Sequence, residues 1–411
     1  MPAESSRSAL HLFKTWFWSP PRPHGDTIID RRVSPLELLY DLVYAAVIAQ
    51  AGLHLAQHLT GRGLLDFAIV FSLTWIAWSN GSLYLELHGR SNGRTRTYVF
   101  LQIGILTLLA VFTTDAGEGS GPGFALTYAA FLALMTWLWY DVRRQDVVAG
   151  RPEFVTEAGR YVVAMSVSVP VVLVSAVLPA EARLAAWALV IAVWIVLLEV
   201  MGRTGANFDR ALTPTDSLVE RVDTFTLIVL GEVVFGVVDG LSQSSHDLKT
   251  ISTGMIALVV GFGFWWIYFD VVGGKPPKRE GGPLTDWLVS HYPITISIAA
   301  AGSGMVSLVA NAHAGRTPAA TSWLLSGAVA IGLLALIPTC RALQDSKRLA
   351  GAYRPLEWAM AAGAVVSLVI GWIAPAPWLL ALLLVAVLGL VWAIGVRGFV
   401  LAGAWEIEKI R

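Results

Sequence analysis

Twelve apolar stretches of about twenty residues run through this chain, the length an α-helix needs to cross the hydrocarbon of a bilayer. They lie at 36–58, 64–88, 97–114, 122–141, 157–178, 182–201, 218–239, 248–271, 285–311, 319–340, 355–373 and 377–399. Turn-forming sequences separate them, among them "DAGEGSGPG" (115–123), "GGKPPKREGGP" (273–283) and "APAP" (374–377). Lipid offers no partner to a backbone N–H or C=O, so runs of this length must close their hydrogen bonds internally, as helices. Composition agrees. Of the 411 residues, 55% are hydrophobic and 14% charged, where a soluble domain carries about a quarter charged. The expected fold is all-α, a polytopic transmembrane bundle of about twelve spans.

The basic residues test that count. With twelve spans and an inner N-terminus, only Arg62, Arg183, Lys249 and Arg316 of the 29 Lys and Arg fall on the outer side. Inner loops of membrane proteins are enriched in Lys and Arg, so the split argues for cytoplasmic N- and C-termini. The first 34 residues hold Arg, Lys and Pro without a clean apolar core, so a cleaved secretory signal is not expected. Within them "LHLFKTWFWSPP" (10–21) reads as an interfacial aromatic stretch. Zero net charge gives no reason to expect a nucleic-acid partner.

Spans 1 and 7 both start from the cytoplasm and carry polar residues at matching spacing. Asp41 and Gln50 stand nine residues apart in the first, as do Asp223 and Glu232 in the second. Spans 2 and 8 both hold tryptophans in their inner halves, "WIAW" (75–78) and "FWWIYFD" (264–270). This predicts two parallel six-helix repeats with sites where they meet. The organisation is then a cytoplasmic segment 1–34, a first half 35–201, a cytoplasmic linker 202–217, a second half 218–400 and a cytoplasmic tail 401–411.

Ionisable groups inside apolar helices are the candidate functional residues, because each costs at least a few kcal/mol unless protonated, paired or wet. Glu37, Asp41 and Tyr44 follow i, i+4, i+7 spacing and form one polar stripe near the inner end of span 1. Glu220 and Asp223 lie at similar depth on span 7. Glu86, Glu199 and Asp270 sit within reach of a helix end, where solvation at the interface accounts for them. Glu232 stands about fourteen residues into span 7, too deep for that, with Gly231 and Gly236 beside it to permit close helix approach. Glu232 and Asp41 are therefore the candidate acids, and a protonated Glu232 bonding across helices is the structural alternative.

His54 and His58 are spaced H-x-x-x-H at the outer end of span 1, with Asp66 and Asp115 as conceivable neighbours; metal-free interfacial histidines are the commoner case, and no metal is expected. Trp75, Trp78, Trp265 and Trp266 could wall an aromatic cavity, although tryptophans also gather in interfacial belts. Nucleophile-elbow, phosphate-loop and dinucleotide fingerprints are missing, so no cofactor is expected. Cys340 is the single cysteine, which excludes an internal disulfide.

"VSPLELLYDLVYAAVIAQ" (33–50) and "LVERVDTFTLIVLGEVVFG" (218–236) together resemble the low temperature requirement A (LtrA) family of bacterial membrane proteins. The matching positions are Glu37, Tyr40, Asp41, Leu42 and Val43, then Glu220, Arg221, Leu230, Gly231 and Glu232. The chain departs from the family after the span 2 tryptophans, where it reads "LYLELHGR" (83–90) in place of a polar Asn-Arg segment. The resemblance implies a multi-pass membrane protein and names no reaction. A fainter similarity links Asp41 to the acidic first-helix motif of prokaryotic and lysosomal potassium channels, whose Ser and Gly are absent here.

Two functions fit these residues. One is a secondary transporter or proton- or cation-conducting protein, with Glu232 as the protonatable site, Glu37 and Asp41 at the cytoplasmic mouth and Asp223 coupling the halves. The other is an intramembrane enzyme on a lipid or isoprenoid, using carboxylic-acid catalysis in a tryptophan-lined pocket. The expected partners are the bilayer and a small ion, a proton or a lipophilic small molecule.

Overall fold

A computed structural model describes residues 12–13, 16–26, 33–204, 215–278 and 283–403, for the backbone alone at 198–204 and 283–284. Most of the expected 202–217 linker, the start of the chain and the tail from 404 lie outside the described residues. Twelve long helices fill the rest: α1 Pro35–Gln57, α2 Gly61–His88, α3 Gly93–Val111, α4 Gly121–Val148, α5 Pro152–Ser175, α6 Ala180–Thr204, α7 Asp216–Ser242, α8 Leu248–Val271, α9 Pro283–Ala310, α10 Ala319–Ala342, α11 Ala350–Ile373 and α12 Pro377–Leu401. Each coincides with an expected span. Eleven are long and apolar enough to cross a membrane; α3, with 19 residues and Arg94 and Arg96 in its opening turns, falls short. The described residues contain no strand, only an isolated bridge between Pro277 and Leu343. The chain is a polytopic all-helical membrane protein.

Helix starts follow from local chemistry. Asn92, Thr215 and Asp247 each accept a backbone N–H from the first turn of α3, α7 and α8, satisfying donors that the helix itself cannot. Pro122, Pro152 and Pro377 stand in the first turns of α4, α5 and α12, where a missing N–H costs nothing. At its other end α11 stops at Ala374, in the left-handed region at φ 49°, just before Pro375. Thr317 closes that end by donating its N–H to the Pro375 carbonyl at 2.9 Å, and the Arg316 guanidinium donates to the Ile373 carbonyl at 3.2 Å.

The chain divides into two compact units: residues 1–47 with 72–213, and 48–71 with 214–411. In the first, α4 packs on α3 and α5, and α5 on α6. Phe124, Tyr128, Phe131 and Trp187 form its dry centre. Arg183 is buried and donates to the carbonyls of Glu118, Ser175 and Leu178 at 2.8–3.3 Å, joining the turn before α4 to the turn between α5 and α6. A strap at residues 19–26 crosses the ends of α2 and α4. Arg22 donates to the Glu86 and Gly89 carbonyls, and His24 meets Asp146 with both its backbone N–H and its ring, each at 2.8 Å. In the second unit α9 packs on α7, α8 and α10, and α12 on α8 and α11.

Candidate functional site

The polar stripe of α1 is occupied by local partners. Ser34 and Glu37 form a reciprocal helix cap: the serine hydroxyl donates to Glu37 Oε1 at 3.0 Å and accepts the Glu37 backbone N–H at 3.3 Å. Asp41 is fully buried, and its Oδ1 accepts the Trp78 indole N–H at 3.0 Å. Tyr44 shares a 2.8 Å hydroxyl contact with Tyr40, which donates to Gln102 Oε1 at 2.9 Å. The stripe is therefore interior to the first unit, and Trp78 holds the aspartate in place.

Glu232 presents a different environment. Gly236 and Gly302 bring α7 and α9 into backbone contact just beside it: a Cβ on Gly236 would fall 2.0 Å from the Gly302 carbonyl oxygen, and one on Gly302 would fall 2.5 Å from that of Glu232. Small residues permit this approach in a membrane helix pair. Gly231, by contrast, has open space around it. The Glu232 carboxyl is 7% exposed, and its Oε1 has no hydrogen-bond partner. Its surroundings are a cavity of about 320 Å³ that also takes in Gln50, Gly52, Asp239, Ser242 and Ser303. The polar members are spread toward the C-terminal end of α7. The C-terminal part of α1 thus shares a wall with Glu232 inside the second unit, through Gly52, whose missing side chain leaves space between Ser303 Oγ and Glu232 Oε2.

At the opposite end of α7 the structure assembles a hydrogen-bonded chain from three helices. Asp223 Oδ1 accepts the Tyr268 hydroxyl at 2.8 Å and its Oδ2 accepts the Gly274 N–H at 2.7 Å. Tyr268 on α8 also meets His291 Nε2 of α9 at 3.0 Å. The other ring nitrogen of His291 donates to the Trp287 carbonyl at 2.6 Å. Sequence reasoning singled out Asp223 and missed both partners. A histidine in the apolar run "WLVSHYPITIS" (287–297) was the available signal, since an ionisable group within a span marks a site by default. Glu220, one turn before Asp223, is exposed.

The remaining candidates fall elsewhere. Trp75 and Trp78 are buried, whereas Trp265 and Trp266 are 37% and 43% exposed. Neither cavity described in this section has any of the four in its wall. Trp266 lies 5.8 Å from Trp392, whose indole N–H reaches Asp270 Oδ2 at 2.7 Å. Asp270 is half-buried and bonded to a neighbouring helix, and Glu86 is buried. The His54 and His58 rings lie tilted 4.6 Å apart, and Asp66, held by Arg62 at 3.0 Å, also comes within 3.9 Å of His54 Nε2. Among the described residues no three His, Cys, Asp or Glu side chains converge as a metal site. A second cavity of about 440 Å³ has an almost wholly apolar wall, with Leu55, Leu64, Phe67, Trp323 and Ile331 in it.

No curated protein and no solved structure matches this sequence. A family model does: the bacterial low temperature requirement A protein model covers residues 32–393, from the Ser34–Glu37 cap through both acidic helices to α12. With nearly the whole helical chain matched, the protein belongs to the low temperature requirement A (LtrA) family.

Proposed function

We propose that this protein moves protons or small cations across the bacterial cytoplasmic membrane, with Glu232 as the protonatable group. The observation that carries the reading is a buried carboxyl with one unpartnered oxygen, inside a membrane helix, on a residue in the wall of a cavity that also holds Gln50, Asp239, Ser242 and Ser303. A carboxyl kept only for packing would be expected to find a donor for that oxygen. Asp41 and Glu37 are each bonded by a neighbour and serve as fixed polar groups near the cytoplasmic end of α1. The distribution of Lys and Arg supports cytoplasmic termini, which turns the Glu232 cavity toward the outer leaflet. The two halves are parallel repeats in this reading. Its support is that each opening helix carries an aspartate accepting an aromatic donor from the helix that follows, Trp78 to Asp41 and Tyr268 to Asp223.

The experiment is proton flux into vesicles that hold a pH-sensitive dye and reconstituted protein. Glu232→Gln preserves shape and hydrogen-bonding capacity, so the variant should fold and lose proton-linked flux. A folded Gln variant that moves protons like the parent would remove Glu232 from the pathway.

A further inference from the structure

The chain Asp223–Tyr268–His291 can be read by counting hydrogens. A backbone carbonyl only accepts, so the 2.6 Å contact with Trp287 places a hydrogen on His291 Nδ1. In a neutral ring that leaves Nε2 as an acceptor. Nε2 faces the Tyr268 oxygen at 3.0 Å, and the same oxygen faces Asp223 Oδ1 at 2.8 Å. An ionised carboxylate also only accepts. Two contacts therefore need two hydrogens, and the tyrosine has one. The Gly274 N–H fills Oδ2, not Oδ1, and the Thr226 hydroxyl, which lies on the Val222 carbonyl at 2.9 Å and also reaches the Tyr268 oxygen, supplies a hydrogen to neither contact. If the chain held no further hydrogen, two lone pairs would be pressed together at the buried Tyr268 oxygen.

We propose that Asp223, Tyr268 and His291 together bind one proton beyond those of a carboxylate and a neutral imidazole, and share it between the two ends. With the proton on His291, Nε2–H donates to Tyr268, which donates to the Asp223 carboxylate. When the Nε2 hydrogen passes to the tyrosine oxygen and the tyrosine's own hydrogen passes to Oδ1, the result is a neutral imidazole, an intact tyrosine and a neutral carboxylic acid. No hydrogen is gained or lost in the exchange. The site is a proton store of fixed capacity at the Asp223 end of α7, separate from Glu232, and it stands or falls independently of the flux reading.

The charged and titratable groups on the packed elements leave this count unchanged. Glu220 and Arg221 flank Asp223 on α7, and Glu220 is exposed. On α8 and after it, Asp270 is bonded to Trp392, and Lys275 Nζ lies on the Asp270 and Val271 carbonyls. Asp286 is exposed at the start of α9. On α10 Cys340 is buried and Arg341 pairs with Glu357 at 2.7 Å; α12 contributes Arg397. None of these makes a hydrogen bond to the three-residue chain in the described contacts.

Asp223→Asn supplies the missing hydrogen permanently: its amide N–H donates to Tyr268, its oxygen accepts from Gly274, and Tyr268 donates to a neutral His291. The test is reversible unfolding of the full-length protein in mixed detergent micelles from pH 5 to pH 8, wild type beside Asp223→Asn. An unfolded histidine titrates near about 6.5. Below that pH both unfolded chains hold the histidine proton; the native wild type holds one too, whereas the native variant holds none, so only the variant gains stability as pH rises. Above it the native wild type alone holds the proton and loses stability. The variant-to-wild-type ratio of folding constants should therefore climb about tenfold per pH unit on both sides of 6.5, until the native proton leaves. A ratio that stays constant from pH 5 to pH 8 overturns the proposal. Should the variant not fold, NMR of wild type labelled with ring-¹⁵N histidine and ¹³C aspartate decides at pH 7. A hydrogen on His291 Nε2 or on the Asp223 carboxyl supports the store; a bare Nε2 with an ionised Asp223 in one sample overturns it.

Discussion

Two glycines five residues apart on α7 should respond oppositely to the same substitution. A methyl group at Gly236 would lie 2.0 Å from the Gly302 carbonyl oxygen, so α7 and α9 must part by more than an ångström to restore ordinary contact. At Gly231 the nearest atom is 4.0 Å away, the flexible edge of Phe235. Gly→Ala within a helix favours folding by up to about 1 kcal/mol through propensity alone, and that gain is common to both sites. Subtracting one variant from the other leaves the overpacking at the helix crossing, about 1–3 kcal/mol. That is roughly a 5- to 150-fold difference in unfolding equilibrium between Gly236→Ala and Gly231→Ala. Tryptophan fluorescence during detergent-driven unfolding reads it. Equal stabilities for the two variants would show that α7 and α9 do not cross in backbone contact at Gly302, and the wall of the Glu232 cavity would have to be redrawn.

Trp78→Phe keeps the ring but removes the donor to Asp41, and should lower stability by about 1–3 kcal/mol in the same unfolding assay; Asp41→Asn in the same background should recover part of it. At the start of α8, Asp247 is exposed outside the membrane span. Its bonds from Ser245, the His313 contact and the Thr250 N–H hold its carboxyl well below the usual carboxylate range. A depressed native value stabilises above the unfolded value and is lost as pH falls through the native one. Amide exchange at Lys249 and Thr250 should therefore stay slow at pH 5 and accelerate under strong acid, and Asp247→Ala should make it fast at all pH. Reporter fusions after Arg96 and at the C-terminus should both read cytoplasmic, and one at Gly119 external; a cytoplasmic signal at Gly119 would remove the proposed orientation.

The helices were legible because the hydrocarbon imposes a length and tolerates few charges, and both leave their mark on single runs of residues. Three of the four basic residues expected on the outer side become intelligible only in three dimensions. Arg183 and Arg316 donate to backbone carbonyls at turns and a helix end, and Arg62 is held by Asp66. Arg183 and Arg316 satisfy carbonyls left over where helices stop, while Arg62 pairs within α2, and charge counting registers neither task. Spacing on one helix found Asp41, Asp223 and Glu232. It could not find Tyr268 or His291, because a bond between positions 223, 268 and 291 depends on which faces α7, α8 and α9 turn to each other. The same limit separates Trp78, bonded to Asp41, from the exposed Trp265 and Trp266. In an apolar sequence, tryptophans facing lipid and tryptophans facing protein look alike.

The tip of the first helical hairpin, residues 48–71, belongs to the compact unit otherwise built from residues 214–411. This sets an order of events during biosynthesis. The tip emerges early, but its neighbours around Gly302 follow roughly 230 residues later, on the order of 10–50 s at ordinary translation rates. Through that interval Gln50 and Gly52 sit in a nascent membrane protein whose α7 and α9 have yet to be made. Early helices must therefore be held at the insertion site or in lipid without committing to wrong neighbours. An N-terminal fragment ending near residue 213 would carry this hairpin tip bare, and separately expressed halves of the chain would have the tip itself as the element to recapture.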